Sequence, residues 1–137
     1  MKIAVIGSMQ FTERMVGICD QLRRLGHEPI LTKFADSHVG KSAEEKRKLT
    51  IFQKNNNDAI REMWEKMQGA DAVLVVNLDK DGIKNYIGGN TLMEIGFAHV
   101  LGQKIFLLNP IPEIVYYRTE IEAVKPIIIN GDLTKIK

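Results

Sequence analysis

The sequence predicts an α/β fold: a five-stranded parallel sheet in the order 2-1-3-4-5 with helices on both faces. Three observations carry that expectation. Short, continuously apolar runs occur at Ile3 to Ile6, Ala72 to Asn77 and Lys104 to Leu108, helical stripes separate them, and glycines stand where helices should end. Continuous rather than alternating apolar runs mark strands covered on both faces. Strands alternating with helices need right-handed crossovers, which distribute the helices over both sides of the sheet. At 137 residues a single domain, 1-137, accounts for the chain.

The elements follow in order. Ile3-Ala4-Val5-Ile6, ending in Gly7-Ser8, reads as a buried first strand and a tight turn. Phe11, Met15, Ile18, Leu22 and Leu25 form a helical stripe that Gly26 ends. The second strand is expected at Glu28 to Thr32, then a loop over 33 to 42, then a polar helix from Ala43 to Gly69. Asn55-Asn56-Asn57 should kink or break that helix, because asparagine is a poor helix former. The third strand, Ala72 to Asn77, is followed by a glycine-containing loop from Leu78 to Gly89 and a helix from Thr91 to Leu101. A fourth strand at Lys104 to Leu108, breaks at Pro110 and Pro112, a short helix at Tyr117 to Ala123 and a last strand at Ile127 to Ile129 complete the chain. In the order 2-1-3-4-5 the topological switch lies between strands one and three, where ligands bind outside the carboxyl ends. That location selects 7 to 9 and 77 to 91.

Composition narrows the function classes. The formal net charge is only +2, and the Lys41 to Lys48 stretch also carries Glu44 and Glu45, so it reads as a solvated helix start and no nucleic-acid polymer is expected. A weak positive balance still favours small anions. The single cysteine, Cys19, lies in the first helical stripe, which leaves no disulfide framework and no cysteine zinc site, and a reduced, cytoplasmic setting is expected. The N-terminal apolar run is too short for a signal peptide and no run approaches the ~20 residues of a membrane span. His27, His38 and His99 do not group into a metal site, and no cofactor is expected.

The candidate chemistry sits at two helix starts. Gly7-Ser8-Met9 and Gly88-Gly89-Asn90-Thr91 each open a helix with N–H groups able to hold an anion, although Ser8 as a simple N-cap and Gly88-Gly89 as a plain turn are open alternatives. Asn77, at the end of strand three, is a further candidate ligand. Glu94 is the only acid between Leu92 and Leu101, where every neighbour except His99 is apolar or glycine. A carboxylate in such a helix is either paired or functional. It also fits a capping box with Thr91, in which its side chain returns to the cap amide.

The stretch GADAVLVVNLDKDG and the stretch GGNTLMEIGFAHVLGQKIFLLN, within Ala70 to Asn109, resemble the nucleoside 2-deoxyribosyltransferase superfamily, which includes the 2'-deoxynucleoside 5'-phosphate N-hydrolases. The Gly-Ser-Met turn agrees, and the most specific piece is Thr-x-x-Glu-x-Gly, here Thr91 to Gly96. The resemblance implies a flavodoxin-like sheet order, assembly as dimers or larger homo-oligomers, and a small-molecule nucleoside or nucleotide as partner. It implies Glu94 as the nucleophile that attacks C1' of the sugar, with Asp79 as the assisting acid and Asn77 as its neutral neighbour. The task suits one carboxylate opposite the leaving base, stabilising an oxocarbenium-like transition state. Against the Asp-x-Gly-Thr of typical transferases this chain has Gly88 and Asn90, and Ala4 stands where the family carries a strand-one tyrosine; Tyr86 is the nearest candidate phenol. Those departures keep two rivals open: a nucleotide-binding or sensing protein of the same fold without turnover, and a nucleotide phosphoribohydrolase, whose glycine-rich motif Gly-Gly-x-Thr-x-x-Glu resembles. For Asp79 and Asp81 a simple Asp-Lys-Asp-Gly turn remains the alternative.

Overall fold

A computed structural model describes residues 1–137. Its sheet has five parallel strands in the order β2-β1-β3-β4-β5: β1 Lys2–Ile6, β2 Glu28–Ile30, β3 Ala72–Val75, β4 Lys104–Leu107 and β5 Ile127–Ile128. The expected fold class and strand order are therefore observed. The helices are α1 Thr12–Arg24, α2 Ala35–His38, α3 Ala43–Asn56, α4 Ala59–Met67, α5 Gly89–Val100 and α6 Arg118–Ala123. No helix is long and apolar enough to cross a membrane.

Successive strand residues point to opposite faces, and the chain exploits this to build two cores. Ile3, Val5, Leu74 and Phe106 pack under α1 through Met15, Ile18 and Leu22, while Ala4, Ile6, Val73, Val75 and Leu107 pack under α4, α5 and α6 through Met67, Ile95, Ala98 and Ile121. Both faces of β3 are sealed, since all four of its residues are buried. Cys19 lies within the α1 core, where burial pushes its thiol up to about 11, so it packs as a small apolar residue.

Three local differences from expectation, and one expected break, have physical causes. β2 stops at Ile30 because Thr32 leaves the sheet and donates its hydroxyl to Glu62 Oε2 of α4 at 2.8 Å. The segment expected as loop contains α2, a single turn that buries Ala35 and His38, three residues apart. The polar helix does break after the asparagines: Asn57 closes α3, and Asp58, at φ 46°, caps α4 through its side chain. Finally α5 starts at Gly89 with Gly88 as N-cap, so Thr91 is inside the helix and Glu94 lies beyond its first turn. The capping-box alternative for Glu94 is thereby excluded.

Beyond β3 the chain is fastened by a reciprocal asparagine clip. Asn77 is 0% exposed; its amide donates to the carbonyls of Asn109 (2.9 Å) and Pro110 (3.1 Å) and accepts from the Asn109 amide at 3.0 Å. Asn109 returns a bond to the Asn77 carbonyl at 3.0 Å. Asn77→Ala strips these partners in a closed site and should lower unfolding stability by about 2–4 kcal/mol, read from urea denaturation midpoints.

Candidate functional site

β1 and β3 stay paired to the end, where the Val76 amide donates to the Ile6 carbonyl at 2.8 Å. Their following segments then leave for opposite faces of the sheet, which opens a crevice above Gly7. A Cβ at Gly7 would stand 2.7 Å from the Val76 carbonyl oxygen, so only glycine lets the crevice floor be this low. Ser8 is extended and caps one 3-10 turn, Met9–Phe11, which leads into α1. Its Oγ accepts from the Gln10 amide at 3.3 Å and from Lys80 Nζ at 3.4 Å, so the cap and the crevice share one hydroxyl.

The inner part of the crevice is a chamber of about 50 Å³ between the end of β1, α1, α3, α4 and α5. Met15, Phe34 and Met63 give it apolar walls, and Glu94 is the one acid that lines it. Glu94 is 6% exposed. Burial, and secondarily the charge of Glu62, pushes its carboxyl up to about 8. Glu62 is itself well held: besides Thr32 it accepts from the Lys33 amide at 2.9 Å and lies 3.7 Å from the Lys66 ammonium.

The outer part has about 210 Å³ of room and shares Gly7, Met9, Thr50, Lys54 and Asn90 with the inner chamber, so the two are continuous. Three cations line it, Arg47 and Lys54 from α3 and Lys80 from the loop after β3, and no acid does. Gly88-Gly89-Asn90-Thr91 brings the start of α5 to the same wall, where Gly88 caps the helix without a side-chain bond and the first amides of α5 lie free for an anion. Lys80 Nζ lies 4.6 Å from the Tyr86 ring centroid. The Tyr86 hydroxyl occupies the place a side chain at 88 would take, since a Cβ there would be 2.9 Å from it.

Gly7, Ser8, Met9, Gly88, Gly89, Asn90 and Thr91 thus come together around the outer chamber, with Glu94 beneath them. Two expected residues do not join them. Asn77 is committed to its clip with Asn109 and lines neither chamber. Asp79 is exposed and accepts from the Asn85 amide at 2.9 Å, folding its loop back on itself around Asp81 and Gly82, both left-handed at φ 51° and 76°. Three cations were missed. Arg47 falls in the stretch expected as a solvated helix start and Lys54 in the polar helix beyond it, and their signal was the i, i+3, i+7 spacing of Arg47, Thr50 and Lys54 along one face of α3.

No protein-family model matches this chain, and no curated protein matches it. Among solved structures it is similar to a 2-deoxyribosyltransferase from the psychrotolerant bacterium Bacillus psychrosaccharolyticus, with 22% sequence identity over 78% of this chain and 71% of that one and a TM-score of 0.40. A likeness at that level leaves the chemistry to be argued from this chain's own side chains.

The raised Glu94 pKa makes folding depend on pH in a defined direction. Between its ordinary value of 4.5 and about 8 the folded chain keeps a proton that the unfolded chain has released. This contribution is therefore complete below the unfolded value and is lost as pH rises through the folded one, at a slope of up to about 1.4 kcal/mol per pH unit. Urea denaturation across that window should show wild-type stability falling with pH, and Glu94→Gln, which cannot ionise, should flatten the fall.

Proposed function

We propose that the crevice cleaves or transfers at the N-glycosidic bond of a nucleoside 5'-phosphate or nucleoside, with Glu94 as nucleophile. One observation carries the reading: the sole acid of the inner chamber lies beneath an outer chamber lined by three cations and the start of α5. The resemblance of Thr91 to Gly96 to the deoxyribosyltransferase motif supports it from the sequence. A phosphate suits the outer wall better than an uncharged sugar does, because Arg47, Lys54, Lys80 and the α5 amides all favour an anion.

In this reaction a Glu94 oxygen forms a bond to C1' while the C1'–N bond breaks, and the electron pair leaves on the base, which takes its proton from solvent. Water, or the nitrogen of a second base, then displaces the carboxylate and regenerates it. The sugar becomes cationic as the base departs, so an ionised Glu94 is stabilised most in the transition state. Asp79 enters as a positioning residue: its bond to the Asn85 amide shapes the loop that carries Lys80 and Tyr86. Homo-oligomer assembly belongs to the same reading and is checked by sedimentation.

The test is a panel of nucleosides and their monophosphates, ribo and deoxy, assayed for free base. Base release is expected, with Glu94→Gln lowering kcat/KM by at least about three orders of magnitude and Asp79→Asn by far less. Because attack needs the ionised carboxyl, kcat/KM should climb about tenfold per pH unit below the pKa and level off above about 8. Release that survives unchanged in Glu94→Gln removes this mechanism. Free ribose 5-phosphate as the product identifies a phosphoribohydrolase acting at the same bond.

A second reading is favoured by the proton Glu94 holds at neutral pH, which makes it a hydrogen-bond donor as well as an acceptor. In that reading the protein binds or senses a nucleotide without turning it over. Calorimetric titration with micromolar nucleotide affinity, beside a panel without base release, selects it.

A further inference from the structure

The Glu94 chamber, at about 50 Å³, is small against the roughly 300 Å³ or more of ordinary small-molecule sites, and Glu94 is 6% exposed. A sugar carbon reaches the carboxyl only if a wall moves. Most of the walls belong to the two cores: Ile6 ends β1, Met15 is in α1, and Met63 is in α4. The remaining wall, Phe34 with Thr50, Gln53 and Lys54, belongs to the segment that runs from α2 through α3.

That segment holds together as a unit. Its own parts are tied together, with Gln53 Oε1 of α3 accepting from His38 Nε2 at 2.8 Å and the Gln53 amide donating to Ser37 Oγ at 3.0 Å. Its ends are marked by the Glu62 anchor at Thr32 and Lys33 and by Asp58, at φ 46°. Little apolar burial holds α3 itself: Ile51 and Phe52 remain 45% and 56% exposed, and its buried residues are the polar Lys46 and Gln53. What fastens it to the body is polar. Glu13 of α1 accepts from the Gly40 amide at 3.0 Å and pairs with the Lys46 ammonium, and Gln10 donates to the Ala43 carbonyl at 2.9 Å. All three bonds act at or just before the first turn of α3, away from Lys54.

Lys54 and Lys80 line the same outer chamber from different elements, and neither forms an ion pair with a carboxylate; Arg47 has only a loose 3.9 Å approach to exposed Glu44. We propose that α3 is a lid over Glu94, and that a phosphate oxyanion in the outer chamber pins it shut by bridging Arg47 and Lys54 to Lys80 and the start of α5. The inference rests on the nucleotide reading above and deepens it, for it makes the phosphate a closing device as well as an anchor. Binding energy from the non-reacting end of the substrate then assembles the site around the sugar.

Hydrogen exchange of the full chain, followed peptide by peptide, tests it with inorganic phosphate as the probe. At ten times its Kd, phosphate should slow exchange across 43–56 by about ten-fold and leave β3 unchanged. The double variant Arg47→Ala/Lys54→Ala, altered at exposed positions, should lose that protection. Glu13→Gln should speed exchange of the same amides in buffer, and phosphate should restore them. A deoxynucleoside monophosphate should protect as phosphate does and the free nucleoside should not, which separates the 5'-phosphate from free phosphate as the source. Exchange in 43–56 that is indifferent to phosphate, or protection that persists in the double variant, overturns the lid. Protection without base release from any panel member upholds the lid and removes only the glycosidic reading, whereas base release without protection removes the lid alone.

Discussion

Moving a carboxylate from water into a protein interior costs several kcal/mol unless donors or a cation replace the solvent. Glu94 has left water without such compensation: burial and the neighbouring Glu62 both act against its charge, and nothing acts strongly for it. The free protein keeps the group neutral, and any chemistry that needs its anion must supply a positive charge beside it. A sugar that turns cationic as its base leaves supplies that charge at C1', and at the moment of bond breaking. Lys54 is the one cation that lines the same chamber. The poorly solvated anion, once formed, has no hydration shell to shed before attack.

The scaffold makes this placement cheap. A parallel sheet sealed on both faces fixes the ends of β1 and β3 rigidly, and the topology alone parts the chain above them. Gly7 lowers the floor, and the Asn77–Asn109 clip fixes where the loop after β3 departs. From that point Asp79 and the left-handed pair Asp81 and Gly82 turn the loop back, which delivers Lys80 and Tyr86 to the outer wall. Asn77, Asp79, Asp81 and Gly82, which line neither chamber, therefore decide where Lys80 stands.

Much of this was legible in the sequence because it depends on local pattern. Continuous apolar runs marked the strands, their alternation with helices led to the sheet order, and a lone acid in an apolar helix singled out Glu94, which is buried at the inner chamber. The surroundings of Asn77 and Asp79 were not legible for a physical reason: polar residues at a strand end look alike whether they face a crevice, a neighbouring strand end or their own loop, and only the positions of Asn109 and Asn85 distinguish them. Arg47 and Lys54 were hidden by their company, since a helix rich in Lys, Arg and Glu reads as solvated until the tertiary fold lays one of its faces across the crevice. The single turn of α2 is too short to display any period, although His38 in it is among the most deeply buried residues of the chain.

Tyr86 and Gly88 set the shape of the crevice mouth together. The phenol hydroxyl stands 2.9 Å from where the first carbon of a side chain at 88 would be. Any larger residue at 88 would therefore have to push the ring tip aside, and with it the aromatic face that Lys80 sits over, so the bare backbone at 88 is what lets an aromatic roof and an open helix start occupy one wall.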